Sequence, residues 1–160
     1  MTQDPRLRGW GFLILRISVA SMLATFHGWG KLSGAIAYIF WSQEWGFPQF
    51  VASIGFPFPT FFALCAMLAE FFGCLMLALG LLTRYAAGLI AISMSVAVFH
   101  HLRTDLGFEL AGLYLSSSLF FVLAGPGNIS LDQRLGINSW RNISHSVPEQ
   151  VGTTCGLKEA

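Results

Sequence analysis

Residues 64–82, LCAMLAEFFGCLMLALGLL, form an unbroken apolar stretch with a single carboxylate, Glu70. A helix of this length crosses a bilayer core, which takes about 20 mainly apolar residues. A carboxylate inside lipid requires a partner, a proton or a water-filled cavity. Whatever fold this chain adopts therefore has to bring something to Glu70.

Composition puts the rest of the chain in the same solvent. Apolar residues make up 54% of the 160 positions and Asp, Glu, Lys and Arg only 11%, against about 25% charged residues in an ordinary soluble domain. The formal net charge of +1 and the lack of any Lys/Arg cluster leave no nucleic-acid footprint. Three cysteines are too few for a disulfide framework; Cys65 and Cys74 fall on roughly opposite faces of one helix, and Cys155 lies in a polar tail. Arg6 and Arg8 precede an apolar run as in a signal peptide, but that run contains Arg16 and lacks a small-residue cleavage site, so a retained first membrane helix is expected.

Taken in order, the sequence predicts an all-α, four-transmembrane-helix bundle, with a membrane domain over 1–132 and a cytoplasmic tail over 133–160. The spans are placed at about 9–29, 60–82, 85–102 and 106–124. Trp10 and Trp29 bracket the first span as interface anchors. Between 30 and 60, the aromatic residues Trp41, Trp45, Phe47 and Phe50 suggest an outer interfacial helix or a re-entrant loop, stopped by the two prolines of GFPFP at 55–59. GPG at 125–127 ends the fourth span, and a short interfacial helix is expected around 131–141. With both termini inside, Arg6, Arg8, Arg84, Arg134, Arg141 and Lys158 share the inner side, while Lys31 and Arg103 are outside. That asymmetry predicts cytoplasmic termini and an even number of spans, with Arg84 as a topology marker. The Asn-x-Ser triplets at 128–130 and 142–144 then read as chance matches.

Two polar groupings follow. By rise per residue, Arg16 lies about 20 Å and Glu70 about 15 Å from the outer ends of their helices, depths that an arginine side chain can bridge. Arg16 and Glu70 are thus expected to form a structural polar pair. A second cluster gathers near the outer face: His27, Lys31, one or both of His100 and His101, Arg103 and Glu109, with Asp105 equally at home in a solvated turn. His27, Lys31, His101 and Glu109 are the candidate catalytic and cofactor-binding residues, suited to acid–base work or to hydrogen-bonding a quinone oxygen. The same residues also suit a network that ties helix ends together at the lipid headgroups. No metal or haem is expected, because neither the histidines nor the cysteines have ligand spacing.

Short motifs lie in order along the chain: LRI around Arg16, HGWGKL at 27–32, GFPFP at 55–59, AEFFGCLMLALGLLTRYAA at 69–87, then His101 and Glu109, and GPGNISLD at 125–132. In these motifs the chain resembles the DoxX family of small four-helix membrane proteins. The family-like polar positions are Arg16, His27, Lys31, Glu70, Arg84, His101 and Glu109; Cys74 stands where such proteins often have a glycine. The resemblance implies an integral subunit of the prokaryotic inner membrane associated with quinone-linked redox chemistry. The reaction would be thiosulfate or thiol oxidation carried out with a soluble or membrane partner subunit, as a homo-oligomer or otherwise. The alternatives are a non-catalytic scaffold or lipid-interacting accessory subunit and, less favoured, a small-solute transporter.

Overall fold

The structure, a computed structural model, describes residues 5–104 and 107–136. The expected features of 137–160, of Asp105 and of Cys155 lie outside the described residues, which are helical with no strand among them.

Helix α1 runs without a break over Arg6–Trp41, 36 residues. The sequence reading ended it at Trp29; in fact Gly28 and Gly30 are both helical, and the chain leaves the helix only at Ser42, in the left-handed region at φ 51°. Two glycines weaken a helix by about 1 kcal/mol each, too little to break one held by its packing. A single π-turn lies within the helix at Ala24–Gly28. The interval expected to be interfacial is therefore partly the C-terminal third of α1, followed by a short helix α2 at Gly46–Ser53. Gly34 gives α2 its seat: a Cβ there would fall 2.7 Å from the ring of Trp45, which is buried with Val51, Ala63 and Met67.

Helix α3, Pro59–Leu79, begins with proline in its first turn, where the missing amide costs nothing. It ends at Gly80, whose φ of +72° suits a residue without Cβ. It too holds a π-turn, Leu68–Gly73, with Glu70 inside it. Helix α4, Thr83–Arg103, follows after a three-residue turn, and α5, Glu109–Ala124, packs along it. A one-turn helix α6, Leu131–Arg134, closes the described chain, with Ser130 Oγ accepting from the Gln133 amide at 3.2 Å.

The core runs between these helices through Leu23, Leu77, Ile90, Tyr114 and Phe121. The π-turns of α1 and α3 meet at Gly28, where a Cβ would lie 2.6 Å from the Glu70 carbonyl oxygen. Helices α1, α3 and α4 are long and apolar enough to cross a membrane, and α5 is apolar but has only 16 residues. Large apolar side chains such as Ile14, Phe26, Leu75, Ile92 and Leu123 face outward, the arrangement that lipid favours and water does not.

Candidate ligand pocket

Lys31 reaches back along α1 to the α3 π-turn and places Nζ 2.5 Å from Glu70 Oε2. Ser93 of α4 donates its hydroxyl to Glu70 Oε1 at 2.7 Å. Both carboxylate oxygens are thus engaged, and Glu70 is only 2% exposed. The ammonium also sits 4.5 Å from the centre of the Phe47 ring on α2, a favourable cation–π placement.

These groups form one wall of a cavity of about 480 Å3, within the range of small-molecule sites. The cavity is mostly apolar, with Phe47, Phe50, Phe56 and Phe62 toward α2 and Leu89 and Ile92 on α4. Its polar groups besides the Lys31–Glu70–Ser93 set are His27, His100, His101, Tyr114 and the Cys65 thiol. The His27 and Tyr114 rings meet edge to face at 5.8 Å. His101 Nδ1 donates to the Gly107 carbonyl at 3.0 Å, which leaves Nε2 of the neutral ring as an acceptor. His100 lies edge-on to Phe50 at 4.9 Å. An apolar chamber with a few convergent polar groups suits a ligand with a flat polar head and an apolar body.

Four expected members of the outer cluster, His27, Lys31, His100 and His101, share this cavity. Glu109 does not: it lies exposed in the first turn of α5. Arg103 is exposed and stacks on Phe99, 4.4 Å from its ring centre. Ser93 and Tyr114 were missed as site residues. The signal for Ser93 was its place on the face of α4 that also carries Leu89, Val96 and His100 at helical spacing.

The expected Arg16–Glu70 pair is not formed. Arg16, 1% exposed, donates through Nη1 to the Pro126 carbonyl at 2.6 Å and through Nη2 to that of Ile129 at 2.9 Å. Its guanidinium packs against Gly80, where a Cβ would be 2.5 Å from Nη1. Gly80 is ten residues beyond Glu70 on α3, about 15 Å along the axis, so Arg16 and Glu70 stand at different depths. Asp132 completes the Arg16 node: its carboxylate accepts from the Leu82 and Thr83 amides at 2.7 and 2.9 Å, capping α4. Arg84, exposed in the first turn of α4, donates weakly to the Leu123 carbonyl at 3.4 Å and braces the end of α5.

No group of three or more His, Cys, Asp or Glu side chains among the described residues is placed to hold a metal. Cys65 and Cys74 are free thiols, the first exposed and the second buried. No curated protein and no solved structure matches the chain at a significant level. The sequence profile of the DoxX family, by contrast, matches residues 11–102, a segment that carries most of α1, all of α2 and α3, most of α4 and the Lys31–Glu70–Ser93 set. The chain is a multi-pass membrane protein and belongs to the DoxX family.

Proposed function

We propose that the pocket holds the ring of a membrane quinone, and that the protein is a membrane subunit of a quinone-linked oxidation of thiosulfate or thiols. The electron donor is handled by a partner subunit, which joins two thiosulfates or two thiols with release of two electrons. A bound quinone supplies the acceptor for two electrons and two protons. The observation that carries this reading is the pairing of a part-buried Lys31 with a buried Glu70 on the wall of a mostly apolar chamber of about 480 Å3.

The chain's own residues supply orientation and protons. Lys31 has three ammonium protons and Glu70 takes one, leaving donors for a ring oxygen. Glu70, held by Ser93, fixes the ammonium and keeps its charge compensated. His27, Tyr114 and His101 offer further groups able to hold or pass a proton. Phe47, Phe50, Phe56 and Phe62 give the chamber an apolar aromatic lining.

In this reading all four long helices cross the inner membrane of a prokaryote, α5 as the shortest, with both termini in the cytoplasm. Support comes from Arg6, Arg8, Arg84 and Arg134 at the end of the bundle where α1 begins, against Arg103 at the other. Lys31, first counted with the outer charges, leaves that count because it turns inward to Glu70. The apolar lining favours one other reading, a non-catalytic scaffold whose chamber holds a lipid chain.

The test is quinone reduction by the protein purified with its native partners, with thiosulfate or a thiol as donor. The proposal expects turnover and stoichiometric quinone in the wild-type complex, with at least a tenfold loss of both in Glu70→Gln. A wild-type assembly that neither turns over nor titrates with quinone overturns it in favour of the scaffold.

A further inference from the structure

The walls of the chamber do not close on the side between α3 and α4. The two helices pack closely along Leu68–Gly73 and Cys74–Leu79, and α4 then diverges from Pro59–Met67. The wedge between them widens away from their connecting turn. The chamber is lined on the α3 side by Cys65, Ala66 and Ala69, two of them with a single methyl group, and on the α4 side by Leu89, Ile92 and Val96. Leu89 is 55% and Ile92 66% exposed, and Cys65 is exposed as well, although all three border the chamber. A residue that lines a cavity and also faces outward marks its mouth.

The end of the chamber remote from that turn is obstructed. Helix α2 contributes Phe47, Phe50, Val51 and Ile54 to the lining there, and the Phe50 ring is in edge contact with His100 of α4. The polar set lies well inside: Glu70 is eleven residues from the start of α3, about 16 Å along the helix. A ligand whose head reaches Lys31 and Ser93 has an apolar slot beside it, at membrane depth, and an aromatic cover toward the aqueous side.

We propose that this slot is a lateral entrance from the bilayer, through which a quinone with a long apolar tail inserts its ring while the tail stays in lipid between α3 and α4. The inference rests on the quinone reading and narrows it to tailed, lipid-dissolved quinones. Affinity then has two separable parts, a ring part set by Lys31, Glu70 and Ser93, and a tail part set by the slot.

The experiment measures competition against a radiolabelled tailless dimethoxy-methyl-benzoquinone in lipid nanodiscs, using the same ring without a tail and with a polyisoprenyl tail. The proteins are the full chain as wild type, Leu89→Trp, Ile92→Trp and Cys65→Trp. All three substitutions are at exposed positions, and unfolding temperatures check that each variant folds. Partitioning of the tailed compound into lipid is common to all samples, so the readout is the ratio of variant to wild type. The expected result is a loss of affinity in the tryptophan variants at least fivefold greater for the tailed quinone than for the tailless ring; equal losses for the two compounds overturn the slot. Unchanged tailed-quinone affinity in all folded variants overturns the slot while leaving the ring site standing. Failure of the tailless ring to bind the wild type overturns the quinone reading and the slot with it.

Discussion

Two buried ionic centres sit at different levels of this bundle, and they are built in opposite ways. At the end where α1 begins, Arg16 is enclosed by the Pro126 and Ile129 carbonyls and by Gly80, with Asp132 close by capping α4. Halfway along α3, Lys31 and Glu70 engage each other and Ser93, but the ammonium keeps unused donors and borders a chamber. The first centre ties α1 and α4 to the chain that follows α5, with main-chain groups as its chief partners. The second joins three helices through side chains and faces open space. The contrast shows that a charge inside a membrane protein is no evidence of chemistry by itself; what separates a strut from a site is whether capacity for a ligand is left over.

The largest predicted effect tests the strut. Arg16→Leu leaves the Pro126 and Ile129 carbonyls without their donor and removes the positive charge near Asp132, and should destabilise the fold by about 3–5 kcal/mol. Loss of folded, monodisperse protein in detergent, or a steep fall in unfolding temperature, would show it. An Arg16→Leu protein as stable as the wild type would erase the distinction between the two centres.

An intermediate effect is expected at the site. Glu70→Gln keeps the shape and the hydrogen bond from Ser93, and Lys31, about one-fifth exposed, can turn toward the chamber. The cost to stability should be about 1–2 kcal/mol, smaller than for Arg16→Leu, measured by the same unfolding assay. If Glu70→Gln proves the more damaging of the two, the chamber pair is the main structural tie and the assignment of roles must be reversed. The smallest effect belongs to Glu109, which the sequence pointed to and the fold leaves at the surface. Glu109→Gln should change stability by less than about 0.5 kcal/mol and quinone binding by less than twofold.

The helical, lipid-embedded character was legible because length and apolarity alone decide it, and α3 and α4 were placed within a few residues. The course of α1 was not legible. The expected span ended at Trp29, whereas the helix continues through Gly28 and Gly30, and packing of Gly28 against the Glu70 carbonyl makes the small residue a requirement of close approach. That error carried over to the site. With α1 stopped at Trp29, Lys31 had to be a surface charge, and Arg16 was left as the only inward cation. Continued to Trp41, α1 places Lys31 ten residues from its far end, nearly the depth of Glu70 counted from Pro59. The pairing could have been read from that match. The Arg16 carbonyl partners could not, because they depend on how the glycine-rich GPGNIS turn folds back beneath α1.

The central claim is that the Lys31–Glu70–Ser93 wall receives the polar head of a lipid-dissolved ligand. Its most direct test is an experimental structure of the assembly extracted from native membranes without added quinone. The account predicts planar density within hydrogen-bonding distance of Lys31 Nζ, continued by a tail that leaves between Ile92 and Cys65. A chamber filled by acyl chains alone, with no polar group of a ligand at Lys31, would contradict it.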